Sequence, residues 1–394
     1  MSKYDTIIVG AGPAGSSAAY LLAKAGMRVL LIDKSAFPRH KLCGGLLSGR
    51  SEKIFYQVFH QANLKPGLDY TTKGMRLYYQ QRFLNDLQDE RIFHLTTREL
   101  FDTYLAELAA QQGLTFLQRA PVREVDAASN TVILQNGRSY QADFIIGADG
   151  VLSRVAQRLN PTAIKTQRFM LGLEAELPRK HLQEDVTTPE IYFGLVKWGY
   201  GWVFPKSETI TVGLGGVWRK NPHIKPQFQS FLKQRFHVGS NLPIRGHFLP
   251  YHRYRHASGQ HSILLVGDAA GLVEPITGEG ISFAMQSGQF AAQAILEAAG
   301  KGSPSTTYAI YRKKYRHFIR MFDTAHLMSY FLFPPKMEAA FAKVMTKSRA
   351  PLIKQMDLLA DEIGYKEFVQ FLLTKSGKYA VKKCFRQTGA EKKD

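Results

Sequence analysis

The feature that most constrains this chain is a glycine turn between an apolar strand and a helix near its start. YDTIIVGAGPAGSSAAYLLAKAGMRVLLIDK, residues 4–34, is typical of a strand, a tight turn, a helix and a second strand. Gly10 permits the turn, Gly12 lets the backbone approach a pyrophosphate, and Gly15 lets the helix pack on the strand. Asp33 closes the second strand, where a carboxylate can bind a ribose hydroxyl. The pattern predicts a dinucleotide-binding unit, with NAD and FAD equally open.

Two later motifs repeat the strand-to-turn pattern. QADFIIGADG is a buried strand that ends in a turn containing Asp149, and ILLVGDAAG is another that ends at Asp268. A long helix begins near Gly280 after the second of these. A carboxylate such as Asp268 can hold a polyol, and the free N–H groups of Gly280 and Ile281 at the helix start would stabilise negative charge. An ordinary strand-to-helix turn in an α/β sheet is the alternative interpretation.

Together, the three motifs resemble the FAD-dependent oxidoreductases built like the aromatic hydroxylases. The resemblance implies FAD and an α/β fold (α+β overall): a Rossmann-type FAD-binding domain, an inserted antiparallel-sheet cap domain and a C-terminal helical region. The runs FMLGLEAEL, EIYFGLVKWGYGWVFP and TITVGLGGVW, separated by turn residues, predict the antiparallel sheet. The expected boundaries are residues 1–75, 93–165 and 256–300 for the FAD-binding domain, 76–92 and 166–255 for the cap, and 301–394 for the C-terminal helices.

A loop that holds one of the two cysteines narrows the family. PRHKLCGGLLS, residues 38–48, resembles the Pro-Arg-x-Lys-x-Cys-Gly-Gly signature of the geranylgeranyl reductase family. GYGWVFPKSETITVGLGG (199–216) and GLVEPITGEGISFAMQSG (271–288) are similar to two further segments of that family, and the resemblance covers residues 4–300. It implies an enzyme that uses reduced FAD to saturate carbon–carbon double bonds of an isoprenoid chain, carried by a lipid, a quinone or a tetrapyrrole.

The resemblance also implies a set of cofactor contacts, position by position. They are Gly10, Gly12, Ala14 and Gly15 at the pyrophosphate turn, Asp33 at the adenosine ribose, Cys43, Gly44 and Gly45 beside the isoalloxazine, Arg98 near the phosphate and ribityl groups, Val122 at the adenine, Asp149 in the middle motif, and Asp268, Gly280 and Ile281 at the ribityl and pyrimidine end. Without the resemblance, Arg98 would be interpreted as a surface ion-pair partner of Asp102, four residues on.

Four aromatic residues at alternate positions are candidates for substrate contact. Trp198, Tyr200, Trp202 and Phe204 should share one face of a strand, either as ordinary sheet core or as the wall of an apolar tunnel for a prenyl chain. Reduction of a double bond needs a hydride on one carbon and a proton on the other. Cys43 is the candidate catalytic proton donor, with a tyrosine or an ordered water as alternatives.

The external electron donor is left open. No second G-x-G-x-x-G with a strand and an acid follows the first, and GLGG at 213–216 lies inside a strand pattern. The chain is therefore expected to have no separate nicotinamide domain. NADPH that docks transiently, or a small acidic redox protein such as ferredoxin, would serve as reductant.

The charge balance favours anionic partners. The chain carries 52 Lys and Arg against 32 Asp and Glu, a net charge of +20, and residues 301–394 contribute 19 basic and 8 acidic residues. No nucleic-acid-binding module is evident, so no nucleic acid is expected. Residues 311–333 and 366–385 place apolar residues at helical spacing among basic ones. Such helices either pack on the cap or lie on an anionic membrane surface.

Cysteine usage and hydropathy indicate the compartment. Cys43 and Cys384 are too few for a disulfide scaffold or a zinc site, which indicates a reducing compartment and no metal. No apolar stretch reaches the roughly 20 residues of a membrane-spanning helix. The expected location is cytoplasmic, with peripheral membrane contact as a further expectation.

Two other functions compete with a reductase. A flavin monooxygenase or halogenase would share the FAD fold, and GYGWVFP faintly resembles the Trp-x-Trp-x-Ile-Pro halogenase signature, with Tyr200 in place of the first tryptophan. A non-enzymatic prenyl-binding escort protein would keep the fold without FAD. The intact glycines, Asp33 and Asp268 argue against that second alternative.

Overall fold

The chain folds around two eight-stranded sheets. The structure is a computed structural model that describes residues 3–60, 63–161, 169–239, 242–250, 257–346, 348–371 and 374, with backbone alone at 88–91. The strands are β1 (Lys3–Val9), β2 (Val29–Ile32), β3 (Leu46–Leu47), β4 (Tyr70–Tyr79), β5 (Arg82–Leu95), β6 (Thr115–Leu117), β7 (Val122–Asp126), β8 (Thr131–Leu134), β9 (Ser139–Gly147), β10 (Met170–Pro178), β11 (Glu190–Phe193), β12 (Gly199–Pro205), β13 (Thr209–Val217), β14 (Arg245–Leu249), β15 (Gly259–Gln260) and β16 (Ile263–Leu265). The helices are α1 (Pro13–Lys24), α2 (Gly49–Phe59), α3 (Arg98–Ala110), α4 (Arg154–Leu159), α5 (Ile224–Phe236), α6 (Ile281–Gly300), α7 (Thr307–Leu332), α8 (Pro335–Met345) and α9 (Ala350–Leu359).

The first sheet is the predicted dinucleotide-binding sheet. Its parallel strands run in the order β16-β9-β1-β2-β6, and the β7–β8 hairpin pairs antiparallel with β9. Ile7 and Ile8 of β1 are fully buried, as expected for a parallel strand covered on both faces. The three predicted motif turns follow β1, β9 and β16, so they meet at the carboxyl edge of this sheet, where α/β proteins bind ligands.

Close packing of α1 explains two glycines. A Cβ on Gly15 would lie 1.8 Å from the carbonyl oxygen of Gly10, and a Cβ on Gly288 of α6 would lie 2.2 Å from the carbonyl oxygen of Ala14. Helix α1 can therefore approach both the β1 turn and α6 only because both positions lack side chains. This confirms the packing role predicted for Gly15.

The second sheet is the cap, with strand order β14-β10-β13-β12-β11-β4-β5-β3. Its pairs are antiparallel except β11 with β4, which run parallel, so the predicted antiparallel sheet holds one exception. The first cap excursion spans β4 and β5, Tyr70–Leu95, and is longer than the expected 76–92. Helix α5 lies within the cap region, although the alternation of strand-like runs did not indicate a helix there. Its Phe228 and Phe231 pack into the core of the cap.

Helices α7, α8 and α9 form the C-terminal helical region. Leu352 and Met356 of α9 and Met345 of α8 pack with Met75 and Leu77 of β4, so α8 and α9 cover one face of the cap sheet. Among the described helices, none is both long and apolar enough to cross a membrane. Cys384 and most of the predicted helix 366–385 lie outside the described residues. The predicted fold class is confirmed.

Candidate active site

One large cavity lies between the two sheets and the C-terminal helices. Its volume is about 1490 Å³, above the roughly 300–1,000 Å³ of a typical small-ligand site. Sixteen of the predicted site residues line it: Gly10, Gly12, Ala14, Asp33, Cys43, Gly44, Gly45, Arg98, Val122, Asp149, Tyr200, Trp202, Phe204, Asp268, Gly280 and Ile281. The fold therefore brings together residues that are up to 271 positions apart in the chain. Their individual contacts with a cofactor or substrate stay predictions.

The first turn presents backbone N–H groups to this cavity. Gly10 has φ +105°, and a Cβ there would lie 2.3 Å from the carbonyl oxygen of Ala148. Gly12 precedes α1 and, among the described residues, no side chain caps the first turn of that helix. Asp33 accepts the backbone N–H groups of Ala11 and Ser35, both at 2.9 Å. A carboxylate has further acceptor positions, so Asp33 can hold the turn and still accept a ribose hydroxyl.

Two arginines and a buried carboxylate stand beside this turn. Arg98 donates to both oxygens of Asp102, at 2.6 and 2.7 Å, and Arg39 Nη2 lies 2.9 Å from the same carboxylate. A Cβ on Gly12 would lie 3.5 Å from Arg39 Nη2 and 3.8 Å from Arg98 Nη2, so both guanidinium groups stand beside the turn. Burial opposes the charge of Arg98, but Asp102 raises the pKa of Arg98 above its ordinary value. Arg98 therefore pairs with Asp102, as the alternative interpretation held, but in the interior rather than at the surface. It also lines the cavity, and its contact with FAD stays a prediction.

The late motif carries an ion pair across the cavity. Lys41 Nζ donates to Asp268 at 2.8 Å. Burial alone would raise the pKa of Asp268, but Lys41, Arg98 and His247 outweigh it and hold that pKa below its usual value. Gly280 is the N-cap of α6, as predicted, and among the described residues no side chain caps that helix. The start of α6 thus offers free N–H groups beside a carboxylate that stays ionised.

Asp149 of the middle motif has a local structural role. Its carboxylate accepts the Ser153 hydroxyl at 2.5 Å and the Arg154 backbone N–H at 2.7 Å, which fixes the start of α4. Burial raises the pKa of Asp149 despite these bonds. Val122 begins β7 at the edge of the same cavity.

The cysteine loop rests on protein aromatics. A Cβ on Gly44 would lie 2.7 Å from the Phe204 ring and 3.0 Å from Trp202 Nε1, and a Cβ on Gly45 would lie 1.9 Å from the Thr96 carbonyl oxygen. The resemblance places both glycines beside the isoalloxazine, and that contact stays a prediction. The structure supplies a sufficient reason within the chain, because neighbouring side chains and backbone already exclude a Cβ at both positions.

Three of the four candidate aromatics form a row in the cavity wall. Tyr200, Trp202 and Phe204 alternate along β12 and line the cavity. Trp198 departs from this row because it precedes the strand and has φ +56°. Its ring stacks on Phe333, a lining residue, and lies edge-on to Tyr330, but Trp198 itself does not line the cavity. The period-two pattern failed there because alternation applies only within a strand.

Sequence reasoning missed several polar residues of the site. Arg39 and Lys41 are the Arg and Lys of the Pro-Arg-x-Lys-x-Cys-Gly-Gly signature, and that position was the available signal. Lys206 directly follows Phe204-Pro205 and donates to the Gly44 carbonyl at 2.6 Å. Glu174 lies in the cavity wall on β10, and nothing in its own stretch of sequence marked it.

These residues fit FAD. The glycine turn, the uncapped start of α1 and the two guanidinium groups suit a pyrophosphate, while Asp33 and Asp268 suit the two polyol parts of the molecule. The remaining wall is mostly apolar and aromatic, as a ring system requires. The fold and the cavity thus define a flavoprotein of the dinucleotide-binding type.

Comparison with known proteins agrees with this class. Residues 3–192 match the FAD binding domain family. A geranylgeranyl diphosphate reductase of Rhodobacter capsulatus is 30% identical over 77% of this chain and 78% of its own. A digeranylgeranylglycerophospholipid reductase of Methanosarcina acetivorans is 29% identical over 79% of this chain and 80% of its own. A solved geranylgeranyl bacteriochlorophyll reductase-like protein of Thermoplasma acidophilum superposes with a TM-score of 0.78 at 25% identity, covering 94% and 99% of the two chains.

The chain belongs to the geranylgeranyl reductase family of FAD-dependent oxidoreductases. The predicted family, the predicted enzyme class and the FAD cofactor are confirmed.

Proposed function

We propose that this protein is an FAD-dependent reductase that saturates carbon–carbon double bonds of a prenyl chain. The observation that carries the proposal is the mostly apolar and aromatic part of the cavity wall that the cap sheet and the C-terminal helices contribute. This apolar wall includes the row of Tyr200, Trp202 and Phe204 on β12, together with Phe341 of α8 and Met356 of α9. A long hydrocarbon chain is the substrate class that such a wall would bury favourably.

The cofactor and the protein contribute different parts of the reaction. Reduced FAD supplies a hydride to one carbon of the double bond. An isolated alkene is a poor electrophile, so the protein contributes chiefly by orienting the chain and excluding water. Tyr200 is itself fixed, because its hydroxyl donates to the carbonyl oxygen of Thr277 in the loop before α6. The aromatic row and that loop are therefore tied together.

The external reductant remains a proposal. NADPH or a small acidic redox protein such as ferredoxin would deliver electrons from outside, and the net charge of +20 suits either anionic partner. The two donors are distinguished by mixing each with the oxidised holoenzyme without oxygen. The true donor reduces the bound flavin, which is measured as a loss of its visible absorbance.

A membrane source for the substrate is also proposed. Leu327, Tyr330 and Phe331 form an exposed apolar face on α7, with Leu327 62% and Phe331 63% exposed. Exposed Lys336 and Lys343 follow on α8, a helix that also lines the cavity. Apolar side chains flanked by lysines suit an anionic bilayer surface. We expect the double variant Leu327→Ser, Phe331→Ser to lose cosedimentation with anionic vesicles, while Phe83→Ser, an exposed aromatic of the cap, behaves as wild type.

The proposed reaction is tested with reduced holoenzyme and geranylgeranyl diphosphate as the probe. We expect products that gain two hydrogens for each reduced bond, formed anaerobically. Products that gain oxygen or a halogen, with consumption of oxygen, would favour a monooxygenase or a halogenase. A purified protein that cannot be loaded with FAD would contradict both.

A further inference from the structure

The apolar wall of the cavity also contains a carboxyl group that belongs to the cap sheet. Glu174 lies within β10 and is only 6% exposed. On neighbouring strands of the cap sheet, Glu174 pairs with Arg245 on one side and with Gly213 on the other, and Gly213 in turn pairs with Trp202. Directly paired positions share a face of a sheet, so the carboxyl group stands in the wall beside the aromatic row. Among the described lining residues of this sheet, Glu174 is the one carboxyl group.

A glycine brings the indole of Trp202 onto this carboxyl group. Gly213 separates Glu174 from Trp202 in the cross-strand row, and a Cβ there would lie 2.1 Å from the Trp202 ring. The ring therefore lies over Gly213. Within the described part of the chain, neither Glu174 Oε1 nor Trp202 Nε1 makes a hydrogen bond of ordinary geometry, although the indole lies close enough to the carboxyl group to lower its pKa. A buried polar atom without a partner is costly, so these atoms are candidates for contact with something the cavity binds.

We propose that Glu174 is the acid that protonates the carbon of the double bond that does not receive the hydride. This inference rests on the proposed reductase function. The π bond breaks as two C–H bonds form, one from the hydride of reduced FAD and one from the proton of the Glu174 carboxyl group. FAD is left oxidised, and the carboxylate regains its proton from water.

The surroundings keep this carboxyl group protonated near neutral pH. Burial is the main cause, the nearby Glu176 carboxylate adds to it, and together they raise the pKa of Glu174 to about 8. Lys206, the Cys43 backbone N–H and the Trp202 indole act in the opposite direction. Arg245, the paired residue on β14, lies with its Nη1 3.2 Å from the His40 ring nitrogens. An acid whose pKa lies near the working pH is well suited to proton transfer.

Glu174 and Cys43 are neighbouring candidates for the proton donor. The backbone N–H of Cys43 faces the Glu174 carboxyl group, so the two candidates occupy neighbouring places in the wall. A Cys43→Ser variant keeps a side chain of similar size, and a Glu174→Gln variant keeps shape while removing the acidic proton. The pair of variants separates the two roles.

The test uses FAD-loaded, dithionite-reduced protein and geranylgeranyl diphosphate, with single-turnover rates followed from pH 6 to pH 10. We expect the wild-type rate to fall as pH rises through about 8, because the acid form is lost. Glu174→Gln should be slower by about 10²–10⁴-fold and lack that decline, while Cys43→Ser retains it. Glu176→Gln is the matched control: it should stay active, with the decline moved to lower pH because a repelling carboxylate is gone.

A second readout does not depend on turnover. The infrared band of the protonated Glu174 carboxyl group is isolated as the difference between wild-type and Glu174→Gln holoenzyme. This band should disappear as the pH rises, with a midpoint near pH 8. Loss of that band well below pH 7, or an active Glu174→Gln with an unchanged pH profile, would overturn the role of Glu174 alone. Loaded wild-type protein that reduces no prenyl chain would instead overturn the proposed function, and the role of Glu174 with it. Equal flavin spectra and urea-unfolding midpoints show that the variants fold.

Discussion

Lys206 Nζ donates a 2.6 Å hydrogen bond to the carbonyl oxygen of Gly44 and so ties the end of the aromatic strand to the cysteine loop. The side chain is almost fully buried, 3% exposed. The bond connects the cysteine loop, residues 38–48, with the segment 199–216, which are separate motifs in the sequence. Because Lys206 is buried, its ammonium group should affect the stability of the folded protein.

The buried ammonium group of Lys206 should make stability depend on pH. Burial lowers the pKa of Lys206 in the folded protein, whereas the unfolded chain has an ordinary lysine pKa of about 10.4. Between these two values the unfolded state binds more protons, so the free energy of unfolding should rise with pH. We expect this rise in urea unfolding of wild type and its absence in Lys206→Met, while the exposed Lys225→Met keeps it. An unchanged slope in Lys206→Met would contradict the assignment.

Gly44 should tolerate no side chain. In Gly44→Ala the new Cβ would meet the Phe204 ring at 2.7 Å and Trp202 Nε1 at 3.0 Å, and both rings are packed in the cavity wall. Overpacking of this kind typically costs about 1–3 kcal/mol, which we expect in urea unfolding. Gly239→Ala serves as the control, since a Cβ there meets nothing within 4 Å. Comparable stability of the two variants would disprove the close contact.

Arg39 should contribute to FAD binding without being part of the glycine signature. Its guanidinium lies 2.9 Å from Asp102 and 3.8 Å from Asp33, beside the first turn. Removing a charge-assisted contact typically costs about 1.5–3 kcal/mol, so Arg39→Gln should weaken FAD binding roughly ten- to hundredfold. Fluorescence titration of the apoprotein measures this, with the exposed Arg138→Gln as control. Equal affinities would place Arg39 outside the cofactor site.

Lys41 should protect Asp268 from protonation. The pKa of Asp268 lies below its ordinary value, so the unfolded state takes up its proton first as pH falls. The ionised, paired Asp268 therefore stabilises the fold above about pH 4 and loses that effect as the solution is acidified. In Lys41→Met, burial dominates and raises that pKa, so the stabilisation near pH 5 should shrink. Unfolding measured from pH 3 to pH 7 checks this, and identical curves for both proteins would refute it.

Local pattern was enough to predict the turns and the class of cofactor. Gly10, Gly12 and Asp33 act within one strand–helix–strand unit, so their spacing alone carries the information. Asp268 and Gly280 are also close in the sequence, because Asp268 lies at the start of the loop after β16 and Gly280 lies at its end, before α6. The pattern failed at Trp198, where a positive φ before β12 turns the side chain out of the row.

Other site residues were beyond local pattern because long-range packing places them. Glu174 became notable only when Gly213 and Trp202, on two further strands, lay against it. Lys41 and Asp268 are 227 residues apart, and their ion pair exists only because the cysteine loop crosses to the end of β16. Arg98 fitted two interpretations in the sequence, and the fold shows its ion pair with Asp102 in the interior and places it in the cavity wall.

The sequence by itself determined the dinucleotide-binding unit, because glycine spacing and strand–helix alternation are short-range constraints on the backbone, and its resemblance to known motifs implied FAD and the family. Only the tertiary structure decided which charges meet and which carboxyl group is buried. Those properties depend on burial and on distances between side chains from different strands, and they set the pKa values of Glu174, Lys206 and Asp268. The cysteine loop shows both levels, since its motif named the family and its packing on Phe204 and Trp202 explained Gly44.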